Sequence, residues 1–518
     1  MNRRLTLLVL PLVSAAVAWS CSKNSGTGGG TPAPDAGDEG GSDAAPDVPL
    51  QPPQDSSTGS CTYNGTDPVA FCLQKTVLQN ELSDAYAQGK GVSPSWNAMG
   101  MPGSPHSWRD DVGFAASIGA YHCSSSTYGD NQLTPKLDAI MPDLGATIVG
   151  ELTSAPTGYD GEDYFRLRAA ATGLQYANDT MHAATLGQLA DAFARNLQTT
   201  YAQTVTLPEG GTATVLGTPD GMGNVAYAPA QVIMAAAALV DMASLHASDP
   251  DAGADVSTWA ATALAAVDYV WARGRDTSTG LFFQQLVTSD DPGHDALGQG
   301  MPTPDALLTD VQAEAVFGLA RLQDGVNALI AADAGVGDAS TPTQSMYWNE
   351  ANAIVQSMVT AGIFDGNIPD DEAGIPSPVP AGAFMEALVP STSAIDTNKT
   401  TIGNAWLLGA VHRVGVGMLA PLTDVVQPQL LVAVTQQTPA NSSLFTVVTD
   451  TQTGNPVQTE YLRASSKDFH YATAFSPDGG TGGQEPGATS YRADATAAVI
   501  EGLTQLWRGT PNAPPCSN

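Results

Sequence analysis

Gln231–Leu245 reads QVIMAAAALVDMASL. Its Ala, Leu, Met and Gln are strong helix formers, and it is apolar on nearly every side. Asn404–Leu419 repeats the pattern. A helix without a polar face must be enclosed by other helices or by lipid. Asp241, His412 and the shortness of both segments argue against lipid. The expectation is an inner layer of helices wrapped by an outer one.

Working outward, the same Ala-rich texture continues in segments split by Gly/Pro/Asp-rich loops. Helices are expected over 69–88, 110–123, 135–153, 162–177, 180–203, 229–247, 255–273, 308–332, 343–362, 381–389, 399–418, 424–436 and 490–508. Thr309-Asp310 before Val311 and Asp255-Val256-Ser257 before Trp259 read as N-terminal caps. Gly274 and Gly509 fall where left-handed C-terminal caps belong. Short strands are expected at 204–207 with 212–216, at 281–287, and at 444–448 with 457–462. No fixed-period repeat of solenoid type is present.

Two segments carry a resemblance. Asp310–Leu322 (DVQAEAVFGLARL) resembles a helix of the six-hairpin, (α/α)6-toroid enzymes of carbohydrate metabolism, and Asp276–Phe282 (DTSTGLF) resembles their helix-to-hairpin turn. The resemblance spans roughly 65–510. It implies an all-α fold, an (α/α)6-type toroid of helical hairpins with a few short β-hairpins. Residues 61–518 then form a single toroid domain. Hydrolases, lyases, epimerases and non-catalytic relatives share such a fold, so it leaves the chemistry open.

The N-terminus reads as an address. Arg3 and Arg4 precede a 15-residue, mostly apolar run from Leu5 to Trp19, too short for a comfortable span. Val17–Cys21 resembles a bacterial lipoprotein signal, which implies cleavage after residue 20 and lipidation of Cys21. Residues 22–60 hold 8 Gly, 6 Pro and no aromatic residue, so residues 21–60 are expected to be a disordered tether. The expected location is the bacterial cell envelope, exported and membrane-anchored. Cys61, Cys72, Cys123 and Cys516 are an even set in an exported chain, which suggests two disulfides. Three pairings exist; Cys61–Cys516 with Cys72–Cys123 is favoured, because it joins the two ends of the folded region.

Charge narrows the partners. The chain has 518 residues and a net charge of −33, with only 19 Lys+Arg against 52 Asp+Glu. Nucleic acid and anionic lipid surfaces need clustered basic residues, which this chain lacks. Walker-A, HExxH, CxxCH and GxSxG motifs are absent. His182, His246 and His412 fall inside helices, where packing or hydrogen bonding is expected. A monomer with a carbohydrate ligand and a lipid anchor is expected.

In a ring of helical hairpins the polar mouth lies where inner helices begin, so clusters before helices are the candidate sites. His106-Ser107-Trp108-Arg109-Asp110-Asp111 offers an aromatic platform, a base and two carboxylates. Adjacent helical residues diverge, so Asp110 and Asp111 cannot both face inward. Asp310 and Glu314 are four apart and share a helix face. The third cluster runs from Lys467-Asp468-Phe469-His470-Tyr471 to Ser490-Tyr491-Arg492-Ala493-Asp494. Asp111, Asp310 and Asp494 are the candidate catalytic carboxylates. His106, Trp108, Glu314, His470, Tyr471, Tyr491 and Arg492 are the candidate substrate contacts. Asp365, Asn367 and Asp371 form a candidate Ca²⁺ loop, outside the EF-hand pattern.

The expected function is a surface-anchored glycoside hydrolase. Two rivals share the features: a polysaccharide lyase of the same fold, and a non-catalytic lipoprotein that captures glycan or peptide. About −30 of the charge lies in residues 61–518. Such a field would repel a uronate polymer from a lyase cleft, which favours neutral glycans.

Overall fold

The computed structural model describes residues 69–93, 95–96, 108–128, 130, 132–154, 161–176, 179–249, 253–289, 295–297, 306–332, 345–364, 383–396, 400–418, 445–449, 456–462, 491–492 and 496–502. Helices alternate between two layers. The outer ones are α1 (Val69–Asp84), α3 (Thr134–Ser154), α5 (Thr180–Asn196), α7 (Gly253–Arg273) and α9 (Met346–Thr360). The inner ones are α2 (Trp108–Tyr128), α4 (Gly161–Tyr176), α6 (Pro229–Leu245), α8 (Thr309–Ala331), α10 (Thr401–Met418) and a helical segment at 496–502, here α11.

Each inner helix packs on the next, α2 on α4, α4 on α6, α6 on α8 and α8 on α10. Gly409 lies against Gly502 of α11, and Gly113 of α2 faces Ala497 of α11. The circle closes there, and Gln74 Nε2 of α1 donates to Ile500 O at 2.9 Å across it. α6 is buried on every side between α4, α7 and α8, as its all-round apolar sequence requires. Pro229 at its first turn presets the helical φ where no backbone donor is needed. Residues 56–517 pack as one unit. The result is an all-α toroid of helical hairpins with short strand pairs at its rim.

Glycine sets how close the staves come. A Cβ at Gly119 of α2 would overlap Gly173 Cα of α4, and the Gly409–Gly502 contact is equally tight. Gly119→Ala therefore forces two backbones apart. We expect a loss of about 2–3 kcal/mol in urea unfolding, the range of overpacked cores.

Most expected helices are present with ends shifted by a few residues. The expected helix at 381–389 is instead a strand. Ala387–Val389 pairs antiparallel with Leu307–Leu308 on one side and Ala394–Asp396 on the other. All three of its residues are buried, and a strand covered on both faces has the same apolar run as a buried helix. The segment at 490–508 divides into Tyr491–Arg492, paired with Ser95–Trp96, and the α11 helix. The hairpins Ala202–Thr206 with Thr212–Leu216 and Phe445–Thr449 with Pro456–Leu462 match expectation. Gly280 has φ +76, and Gly280 N–H donates to Asp276 O at 2.8 Å, which makes the expected turn. Gly274 is needed for another reason than a left-handed cap. It packs against Val270 O, where a Cβ would come within 2.7 Å.

Residues 1–68, Cys516 and 424–436 lie outside the described residues, as do the side chains of Cys72 and Cys123. No described helix is long and apolar enough to cross a membrane.

Candidate active site

The inner helices all run the same way, so their N-termini meet at one mouth. In the ring of six, the α2–α4 seam lies opposite the α8–α10 seam. Each seam carries a carboxylate at its top.

On the first seam, Arg109 of α2 meets Asp163 of α4, with Nε to Oδ1 at 2.7 Å. Asp163 is nearly sealed, while the Arg109 side chain remains 48% exposed. The guanidinium also lies 5.8 Å from the Trp108 ring, so Trp108 and Arg109 form one edge of the rim. On the second seam, Asp310 accepts a short hydrogen bond from Thr400 Oγ1, just before α10. Asp310 was expected to cap its own helix. Instead α8 begins at Thr309 after Leu308, without a side-chain cap. Thr309 N–H donates to Glu386 O at 2.7 Å and its hydroxyl to Met385 O, so the adjoining strand pins the helix start. That leaves Asp310 turned to the neighbouring inner helix.

Below the mouth, Asp310, Glu314, Phe317 and Arg321 follow one another at spacings of four, three and four, a single face of α8. Phe317 stacks on Trp406 of α10 with centroids 6.0 Å apart at 23°. Both rings are almost fully buried, so they form an aromatic floor. Deeper, Arg321 Nη2 pairs with Asp241 Oδ2 of α6 at 2.6 Å. Burial opposes the Arg321 charge, but Asp241 and then Glu501 of α11 outweigh it and raise its pKa. The Arg168 guanidinium of α4 is lowered, mainly by burial, and senses both Asp241 and Arg321. α4 is not a ring neighbour of α8, nor is α8 of α11. Residues that sense one another across those gaps must lie near the axis.

Asp111 sits at the same height as Arg109 but faces away from the axis. It is fully buried, and its Oδ1 accepts Val92 N–H at 2.6 Å. Its pKa is raised to about 9. Burial is the largest cause; the Val92 N–H works against it, while Glu151 of α3 and then Asp110 add to it. A second buried carboxylate, Asp295, holds the strands beside the mouth. It accepts from Tyr227 Oη at 2.7 Å, Tyr269 Oη at 2.6 Å and Arg273 Nε at 2.9 Å.

Of the residues singled out in the sequence, Trp108, Asp310 and Glu314 lie on mouth-side turns of the inner ring. Asp111 lies behind that ring. Tyr491 and Arg492 are placed by backbone only, in register with Trp96 and Ser95. His106, His470, Tyr471, Asp494 and the loop of Asp365, Asn367 and Asp371 lie outside the described residues. Among the described residues, no group of three or more His, Cys, Asp or Glu is placed to hold a metal. His182 pairs with Asp179 at 2.9 Å and His246 with Asp191 at 3.0 Å, as helix-borne histidines should. Asp163 was missed, although Glu162-Asp163 opens an expected helix as Asp110-Asp111 does. The same search rule applied there would have found it.

No family model and no curated protein matches this sequence. Solved structures do match. One is an unsaturated glucuronyl hydrolase specific for heparin, at 10% identity and TM-score 0.55, covering 85% of this chain and 96% of that one. Another is an unsaturated glucuronyl hydrolase responsible for glycosaminoglycan degradation, from Bacillus sp. GL1, at 11% identity and TM-score 0.50, covering 85% and 96%. At such identities the likeness establishes the architecture, and the chain is accordingly an all-α toroid of the (α/α)6 type.

Proposed function

We propose that this chain is a glycoside hydrolase whose site is the mouth of the toroid. One observation carries the reading. Carboxylates top opposite seams of the inner ring, Asp163 beside Arg109 and Asp310 beside Thr400, above the Phe317–Trp406 floor. Glycosidic cleavage needs one carboxyl to protonate the leaving oxygen and a second to act on the other face of the sugar. In our assignment Asp163, ion-paired with Arg109, is the ionised partner, and Asp310, held by a hydroxyl, is the general acid. Trp108 supplies a ring on which a sugar can stack. Asp494 remains a further candidate by its sequence position, two residues after Arg492 and just before α11. Asp111, turned outward, supports the rim.

That two neighbours of this fold are named as hydrolases of unsaturated glucuronyl units supports hydrolysis over capture. The half-exposed Arg109 would suit an acidic sugar, whereas the net charge of −33 favours a neutral one. We further propose that the chain is exported, lipidated at Cys21 and held to the envelope by residues 21–60, on the strength of its N-terminal sequence.

The test is incubation of the full chain with a panel of neutral and unsaturated-uronate oligosaccharides. New reducing ends are expected from at least one of them. A new ultraviolet-absorbing double bond at the cut would indicate a lyase instead. Binding without any release would replace the enzyme with a capture module.

A further inference from the structure

The loop between α1 and α2 opens with a tight hairpin, Tyr86–Ala87 against Gly91–Val92. This hairpin rests on carboxyl groups. Val92 N–H donates to Asp111 Oδ1 at 2.6 Å, and Gly91 passes so close that any side chain there would overlap the Asp111 carboxyl. Glu151, in the last turns of α3, hydrogen-bonds to Asp111. At the other end of the hairpin, Tyr86 Oη and Gly89 N–H both donate to Asp143 of α3, at 2.5 and 2.8 Å. Three residues beyond Val92, Ser95–Trp96 pairs with Tyr491–Arg492, which leads toward α11. A short run of chain therefore links the carboxyl pair to a strand at the mouth.

We propose that Asp111 and Glu151 share one proton as a latch that keeps this rim strand in register, and that loss of the proton opens it. Both are positioning residues, since neither reaches the axis. With the proton in place, Asp111 donates to Glu151 through one oxygen and accepts Val92 N–H through the other. Without it, two carboxylates meet in a site closed to water. The titratable groups facing Asp111 are Glu151 from α3, Asp110 on its own helix and Tyr86 from the hairpin, with Asp143 behind Tyr86. None of these supplies positive charge. Lifting the hairpin admits water and is the available relief.

The sign follows from the folded-state pKa, which stands above the ordinary carboxylate value of 3.8. The folded form holds the proton more tightly than the unfolded one. The latch's contribution to stability is thus complete below the ordinary value and is lost as pH rises through about 9. The inference concerns rim order alone and stands whether or not the mouth cleaves glycans.

Amide hydrogen exchange on the full chain from pH 6 to 10, corrected for the intrinsic base-catalysed rate, tests it. Protection at Val92 should fall by about tenfold or more across the alkaline end, while amides of α6 keep theirs. Asp111→Asn should hold the latch shut, because its Oδ1 still accepts Val92 N–H and its amide donates to Glu151. Glu151→Gln should flatten the profile from the other side. Unchanged protection at Val92 in the wild-type chain up to pH 10 would overturn the proposal. So would an alkaline loss in Asp111→Asn equal to that of wild type. Should both variants fail to fold, the wild-type titration alone still decides.

Discussion

Asp310→Asn should reduce turnover of a released glycan by about 10²–10⁴-fold, the usual contribution of a positioned acid or base. The amide oxygen that the substitution introduces can still accept the Thr400 hydroxyl, so the α8–α10 seam and the melting temperature should be little changed. What is lost is the transferable proton. The loss should fall on kcat more than on KM, because the binding surface of Trp108, Arg109 and the aromatic floor is untouched. Thr400→Val separates positioning from chemistry. It removes the hydroxyl that holds Asp310 and should cost activity less than Asp310→Asn does. Retention of full turnover by Asp310→Asn would move the acid to another carboxylate, Asp494 first.

Asp295→Ala should have the largest effect on stability, about 3–5 kcal/mol by chemical unfolding. Asp295 is fully buried and collects Tyr227, Tyr269, Arg273 Nε and the Ser289 N–H at 3.3 Å. Removing it strands the buried guanidinium of Arg273 and two phenols without their acceptor. An uncompensated buried charge, rather than a missing contact, sets that cost. Replacing both charges with apolar groups, Arg273→Met with Asp295→Leu, should recover part of the loss. If the double variant is no more stable than Asp295→Ala, the tyrosines carry the penalty instead of the arginine.

Much of the ring was legible because its signals are local. The apolar girth of Gln231–Leu245 required an enclosing layer, and α6 has one. The Asp276–Gly280 turn followed from side-chain chemistry within five residues. What escaped was set by distant partners. Ala387–Val389 is strand because Leu307–Leu308 lies beside it, and nothing within the segment says so. Asp310 has the position of a cap and the partner of an interhelical contact, since the start of α8 is fixed by Met385 and Glu386. Arg168, Asp241, Arg321 and Glu501 converge from four helices, which only ring closure brings together. Asp110 and Asp111 were expected to diverge, and the outward turn of Asp111 follows that rule, although its meeting with Glu151 of α3 does not.

The bond from Gln74 to Ile500 joins residues 426 apart in sequence. Each helical hairpin can form early from near neighbours, but this contact waits for nearly the whole folded segment to be available. Closure is therefore a late event in the life of the chain. Until α11 arrives, α2 and α10 each present an uncovered flank, and the partly built circle stays open. Under the export route proposed above, in which the chain crosses as an unfolded thread, that order is useful. The ring would stay unclosed during transit and be completed at its destination, where the last stave seats against the first.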